Sequence, residues 1–387
     1  MSRSVNRRLL LKTGALAGGA LAVGAGLAGT GTSAFAQESG SRVTSGDIAI
    51  LTFLSALEQV EADLWIQYAE LGGATNQGLS PIDLPFKTGV APAYITGLLV
   101  LDGDMPQYIA DNTDDEISHH RFLNNYLESK GAKAIDLRPN FAILPPSSVT
   151  GVSQHRRLTN LKQLTIDTKF WTRYRSANQN PDLGGTFENA IPDLAKGQHP
   201  AIPVDNADLD LDKNGNISNH LQAIAFTAGF HFAFIEQGGT SLYPALAQKV
   251  TDPEVLRVLL SIGGSEIMHF QTWQDKAGNA TNITDGDLTF PNLNSGINPN
   301  TGVKSTAAAN SFQTNLIMPE PTIFLDPKLG PVSIIRPTST AQGGAVASVV
   351  SFAEDGLFLD PATGKNTGIV DALMQLAKAA DNARRGF

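Results

Sequence analysis

Four stretches of this chain repeat apolar residues at intervals of three and four, and each interrupts its apolar stripe with a glutamate. That spacing predicts amphipathic α-helices with the striped face buried. The first spans about Asp47 to Leu71 and stops at Gly72-Gly73, with Ile50, Leu54, Leu57, Glu61, Leu64 and Tyr68 in phase. The second begins near Asp104, has Pro106 in its first turn, runs to Lys130 and stops at Gly131; its stripe is Ile109, Glu116, His119, Leu123 and Tyr126. The third follows Asn216-Ile217-Ser218 and runs to about Gly238, carrying Ala225, Ala228, Phe232 and Glu236, with Tyr243 in phase one turn beyond. The fourth opens with Asp252-Pro253-Glu254, an N-cap, a first-position proline and a first-turn acid, and carries Leu259, Ile262, Glu266, His269 and Trp273 before Gly278. Helices of this kind bury their stripes against one another, so the expected fold is mainly α, a four-helix bundle.

The remainder reads as additions to that bundle. A short helix is expected around Ala91 to Leu101, and residues 132–217 form a long central insertion whose middle, Leu158 to Tyr174, has the spacing of a further amphipathic helix. Beyond Thr281 the chain turns to Gly, Pro, Asn and Thr with short β-branched runs such as Val332-Ser333-Ile334-Ile335, which predicts an irregular C-terminal extension with short strands over 281–387. A terminal helix is expected from about Gly368 to Ala383. The first 36 residues read as an address rather than a fold. Asn6-Arg7-Arg8-Leu9-Leu10-Leu11-Lys12 resembles the twin-arginine export signal, a weakly apolar Gly/Ala run follows, and Ala34-Phe35-Ala36 offers a cleavage site. The bundle then covers 45–280, and the expected location is periplasmic or extracellular, with membrane contact only during export.

Both predicted hairpins carry one constellation. Glu61 and Tyr68 precede Glu116-x-x-His119 in the first; Glu236 and Tyr243 precede Glu266-x-x-His269 in the second. Residues three apart on a helix project from the same face, so each Glu-x-x-His can present an oxygen and an imidazole nitrogen to one ion. An ionised carboxylate in a bundle core costs several kcal/mol unless compensated, and no Lys or Arg sits on the stripes beside these positions. Two divalent cations are the economical counter-charge. Oxygen and nitrogen donors suit two iron or two manganese ions, and zinc fits the same ligands. With no cysteine, thiolate zinc sites and iron–sulfur clusters are excluded. A net charge of -9 argues against a nucleic-acid surface.

On these residues the chain resembles the ferritin-like superfamily, and especially its exported, desiccation-related branch. Asp115-Glu116-Ile117-Ser118-His119-His120-Arg121-Phe122-Leu123 is similar to that branch's second-helix signature, and Ser265-Glu266-Ile267-Met268-His269 to its fourth-helix one. The resemblance implies that Glu116 and Glu266 bridge two metals, that Glu61 and Glu236 are terminal ligands, and that His119 and His269 each bind one ion. The implied activity is a di-metal oxidoreductase of ferroxidase or peroxidase type, with ferrous iron, oxygen or peroxide as partners. Alternatives are a non-catalytic protective or structural protein that retains the bundle, and a manganese catalase-like enzyme. An oligomer is compatible with either.

Competing readings bear on single residues. Thr113-x-x-Glu116 has the form of a capping box; His120 lies four residues from Glu116; Glu58 competes with Glu61, which is favoured by its phase with Leu57 and Leu64. Tyr68, Tyr243, Trp65 and Trp273 read as core aromatics, the tyrosines with scope to hydrogen-bond a metal ligand. His231 reads as a core residue or a neighbour of the ligands, and His155, His199 and His220 as loop or surface residues. A second candidate site lies in the insertion: Asp210, Asp212, Asn214 and Asn216 match an EF-hand-like calcium loop with Gly215 at its turn, but Leu221 stands where a bidentate acid belongs, leaving Asp208 or Asp205 as the substitute.

Overall fold

The structure, a computed structural model, describes residues 43–75, 86–176, 179–293, 319, 321–339 and 343–386. The export reading of residues 1–36 lies outside the described residues. Helix α1 (Ser45–Gly72) starts at a reciprocal cap: the Thr44 hydroxyl accepts from Asp47 N–H, and the Asp47 carboxylate accepts from Thr44 N–H. A short α2 (Pro92–Leu98) follows, then α3 (Met105–Ser129), a single turn α4 (Arg138–Phe141), and α5 (Lys169–Arg175). Helix α6 (Asn219–Ala247) is capped by the Ser218 hydroxyl, and α7 (Pro253–Ala277) by the Asp252 carboxylate, which accepts from Glu254 and Val255 N–H.

Helix α1 packs along α3, and α6 along α7. The two hairpins meet through their aromatic residues: Trp65 of α1 stacks on Phe232 of α6 with centroids 4.9 Å apart and on Trp273 of α7 at 5.2 Å. The two hairpins form a four-helix bundle. Helix α6 continues nine residues past the expected stop at Gly238, through Pro244. Leu242, Tyr243 and Leu246 keep its buried face in register, so tertiary packing outweighs both the glycine pair and the proline.

The insertion departs from its expected form. Leu158–Thr168 is not helical, and only Lys169–Arg175 is. Leu158, Leu161, Leu164 and Ile166 are all buried, which is what gave the segment its helical spacing. Its backbone is satisfied elsewhere. Leu158 and Thr159 N–H donate to the Asp63 carboxylate of α1 at 2.9 and 3.0 Å, while Leu164 pairs with His199. Asp63 also accepts from Arg138 at 3.1 Å, and a buried Glu70–Arg157 ion pair makes a second tie between α1 and the insertion. His199, expected in a loop or at the surface, is buried.

In the C-terminal extension β1 (Ile283–Asp285) pairs with β2 (Leu288–Phe290), β3 (Thr322–Ile323) with β4 (Pro331–Val332), and β5 (Leu359–Asp360) with β6 (Lys365–Asn366), each an antiparallel two-stranded hairpin. The β-branched run at 332–335 contributes only Val332 to a strand. Helix α8 (Ala345–Glu354) was not foreseen; α9 (Ile369–Asp381) packs on α1 and α8. No helix of the described residues is long and apolar enough to cross a membrane.

Candidate metal centre

The inner faces of α1, α3, α6 and α7 bring two groups of ligand-type atoms together. Glu58, Glu116, His119 and Glu266 form one; Glu116, Glu236, Glu266 and His269 form the other. Within each group the atoms lie within 4.8 Å of one another, and all six side chains are buried. Nδ1 of His119 is 3.0 Å from Glu116, 3.3 Å from Glu58 and 3.3 Å from Glu266; Nδ1 of His269 is 3.1 Å from Glu116 and 3.2 Å from Glu236. Glu116 and Glu266 belong to both groups.

The electrostatics show what the cluster lacks. Burial, then Glu116 and Glu58 nearby, push the Glu266 carboxyl well above the usual carboxylate range. Glu61 rises for the same reasons, burial first and then Glu266, Glu58, Glu116 and Glu236. Burial also raises Glu236, with His269 opposing it. Burial alone would lower both imidazoles, but Glu58 and Glu116 raise His119, while Glu236 and the bonds to Asp115 and Glu116 raise His269. Without a cation, protons must neutralise these carboxylates; a divalent ion would displace them. Oxygen atoms of Glu58 and Glu266 are fully enclosed with no hydrogen-bond partner, a cost of about 1–3 kcal/mol for even a neutral group. Donors at these separations can surround ions at about 2.0–2.2 Å from each ligand atom, so the residues fit a metal.

A family model described as a ferritin-like domain matches residues 46–279, more than half of the chain. The chain belongs to the ferritin-like domain family. No curated protein and no solved structure matches it.

Within this ferritin-like bundle the structure gathers Glu116, His119, Glu236, Glu266 and His269 but puts Glu58, rather than Glu61, into the first group. Glu61 is buried beside the cluster without belonging to either group. The reason is a relation between the hairpins that the Glu61–Tyr68 spacing obscured. Tyr243 lies seven residues after Glu236 and donates its hydroxyl to Glu58; Trp65 lies seven residues after Glu58 and donates its indole N–H to Glu236 at 3.0 Å. Glu58 and Glu236 are thus each held by an aromatic donor from the opposite hairpin, and the counterpart of Glu236 is Glu58. The matched spacing is Glu-x6-aromatic donor, which the sequence contains. Tyr68 bonds instead to Nδ1 of His231 at 2.7 Å, away from the carboxylates, and burial lowers His231 to about 3.

Four further residues complete the centre. The Asn112 amide donates to Glu116 at 2.8 Å and Glu236 at 2.9 Å, and its oxygen accepts from the Trp273 indole at 2.7 Å. The outer nitrogen Nε2 of His269 meets Asp115 at 3.0 Å, and that of His119 meets the Ser265 hydroxyl at 3.1 Å. Asp115 and Ser265 each immediately precede a glutamate that belongs to both groups, so their positions are also related by the repeat. Thr113 is well inside α3, where its hydroxyl donates to Ile109 and Trp65 carbonyls, so it caps nothing. His120 is in neither group.

The calcium reading finds a self-contained turn. Asp212 accepts from the Asn214 and Asn216 N–H groups, and Asp208 is engaged by Val204 N–H and His220. Asp205 caps a 3-10 turn at Ala207, and Asp210 and Asn214 are exposed.

Proposed function

We propose that this ferritin-like protein holds two iron or two manganese ions and uses them in redox chemistry with ferrous iron, oxygen or peroxide, limiting oxidative damage. The observation that carries the reading is the membership of Glu116 and Glu266 in both donor groups, the arrangement that bridges a pair of ions. Glu58 and Glu236 serve as terminal ligands, His119 and His269 as one nitrogen donor each, and Glu61 adds a carboxylate beside the first ion. When bound, two redox ions side by side supply two-electron chemistry. The chain's own residues orient and shield that centre. Asn112, Trp65 and Tyr243 fix the carboxylates by hydrogen bonds, and the Trp65–Phe232–Trp273 stack keeps water from the inner side. The outer side admits small molecules: a depression lined by Ser118, Phe122, Ile262 and Ser265 reaches His119.

Loading the chain with iron(II) or manganese(II) and following oxygen and peroxide consumption tests this. Turnover that disappears in a Glu116→Gln/Glu266→Gln variant is expected. Peroxide dismutation with oxygen release would mark the catalase-like alternative, and two bound ions with no turnover would mark a non-catalytic protective protein. We further read residues 1–36 as a twin-arginine signal that exports the folded, metal-loaded protein, as in the desiccation-related branch. Mature protein isolated from its own cell envelope should begin near Gln37; an intact Met1 end on soluble protein would contradict export with cleavage.

A further inference from the structure

A cavity of about 510 Å³ lies on the other side of α6 from the metal centre, where the bundle, the insertion and the C-terminal extension converge. Its size is in the range of small-molecule sites, which favour such junctions. Among the described residues its apolar wall comprises Phe234 and Leu242 of α6, Phe352 of α8 and Phe187 of the insertion. Its polar wall carries hydroxyls, the Asp167 carboxylate and two cations. Lys169 and Arg173 of α5, four residues apart on one helical face, both line it.

The two cations are not equivalent. Lys169 pairs with Asp167 at 3.0 Å and is half exposed, so its charge is already met. Arg173 is only 9 % exposed. A guanidinium carries five N–H donors, yet Arg173 makes a single hydrogen bond, from Nη1 to the Thr338 hydroxyl at 3.3 Å, and no ion pair among the described residues. Burial accordingly lowers its pKa. A buried guanidinium with so few partners, facing a partly open cavity, is costly unless an anion completes it. One uncompensated positive charge calls for a monoanion, the planar fork matches a carboxylate, and the phenylalanine wall calls for an apolar body.

We propose that this cavity binds a small organic monocarboxylate, its carboxylate against Arg173 and its apolar body along Phe234 and Phe352. The site is separate from the metal centre and does not depend on it. Calorimetric titration of the full chain with octanoate, octanol and octylamine, in the presence of a chelator, tests it. One octanoate per chain is expected, with octanol at least tenfold weaker and octylamine not bound. Arg173→Gln should weaken octanoate at least tenfold and Arg173→Lys less. Ala347→Phe, which fills the cavity from α8 and leaves the arginine in place, should remove binding. No octanoate binding by the unaltered chain, equal affinity for octanol, or unchanged octanoate affinity in both the Arg173→Gln and Ala347→Phe variants would overturn the proposal.

Discussion

The two ends of the candidate metal centre are built on one plan and finished differently. Each has a glutamate held by an aromatic donor from the other hairpin, a Glu-x-x-His pair, and an outer partner for the imidazole. At the His269 end that partner is the carboxylate of Asp115; at the His119 end it is the neutral hydroxyl of Ser265. Three residues beyond Glu58 the first end carries Glu61, whereas three residues beyond Glu236 the second carries Gly239. A Cβ at Gly239 would overlap the Glu266 carboxylate, so a side chain there would have to displace it. The difference teaches that charge is distributed oppositely in the two halves. The first end concentrates carboxylate beside the centre, and the second places it behind the imidazole, where it makes the histidine a more basic donor.

Mutations can break this comparison at graded cost. The largest effect is expected from Gly239→Ala, which forces Glu266 out of both donor groups: overpacking of about 1–3 kcal/mol should lower the melting temperature by several degrees, and both ions should be lost in a metal titration. Unchanged stoichiometry would show that Glu266 has room the structure denies it. Next, Asp115→Asn should weaken one ion about 10- to 100-fold while sparing the other, splitting the binding isotherm into two steps. Ser265→Ala, removing a neutral partner, should move the other step by less than Asp115→Asn does. Equal shifts would erase the distinction between the ends. The smallest effect on metal binding is expected from Trp65→Phe against Tyr243→Phe. Each removes one donor from one terminal glutamate and should cost about 0.5–3 kcal/mol of stability.

Acidity offers a further separation of metal-free from metal-bound protein. Glu61 and Glu266 have folded pKa values above their ordinary 4.5, so they contribute stability that is complete below about that pH and is lost as pH rises through the folded values. Bound cations reverse the penalty. The rise in melting temperature on adding metal should therefore be larger at pH 8 than at pH 5, as thermal scans with and without chelator would show; a rise independent of pH would place the ions elsewhere.

Much of the bundle was legible because its helices carry their own start and stop chemistry: the Thr44 cap, Pro253 after Asp252, and the glycines after α1, α3 and α7. The Glu-x-x-His pairs were legible because spacing on a helix is spatial proximity. Seeing that Glu58 joins the first donor group needed the donor opposite, Tyr243, which contacts Glu58 across 185 residues of sequence. Asn112, Asp115 and Ser265 were hidden likewise, since their importance lies in contacts between hairpins. The insertion misled for another reason. Leu158, Leu161 and Leu164 repeat like a helix but take their backbone partners from Asp63 and His199, and spacing records burial, not hydrogen bonding.

Elemental analysis of the purified chain beside its Glu116→Gln/Glu266→Gln variant probes the shared carboxylates most directly. Two iron or manganese ions per unaltered chain, and close to none in the folded variant, are what shared bridging ligands require. Metal retained in full by the variant would contradict them.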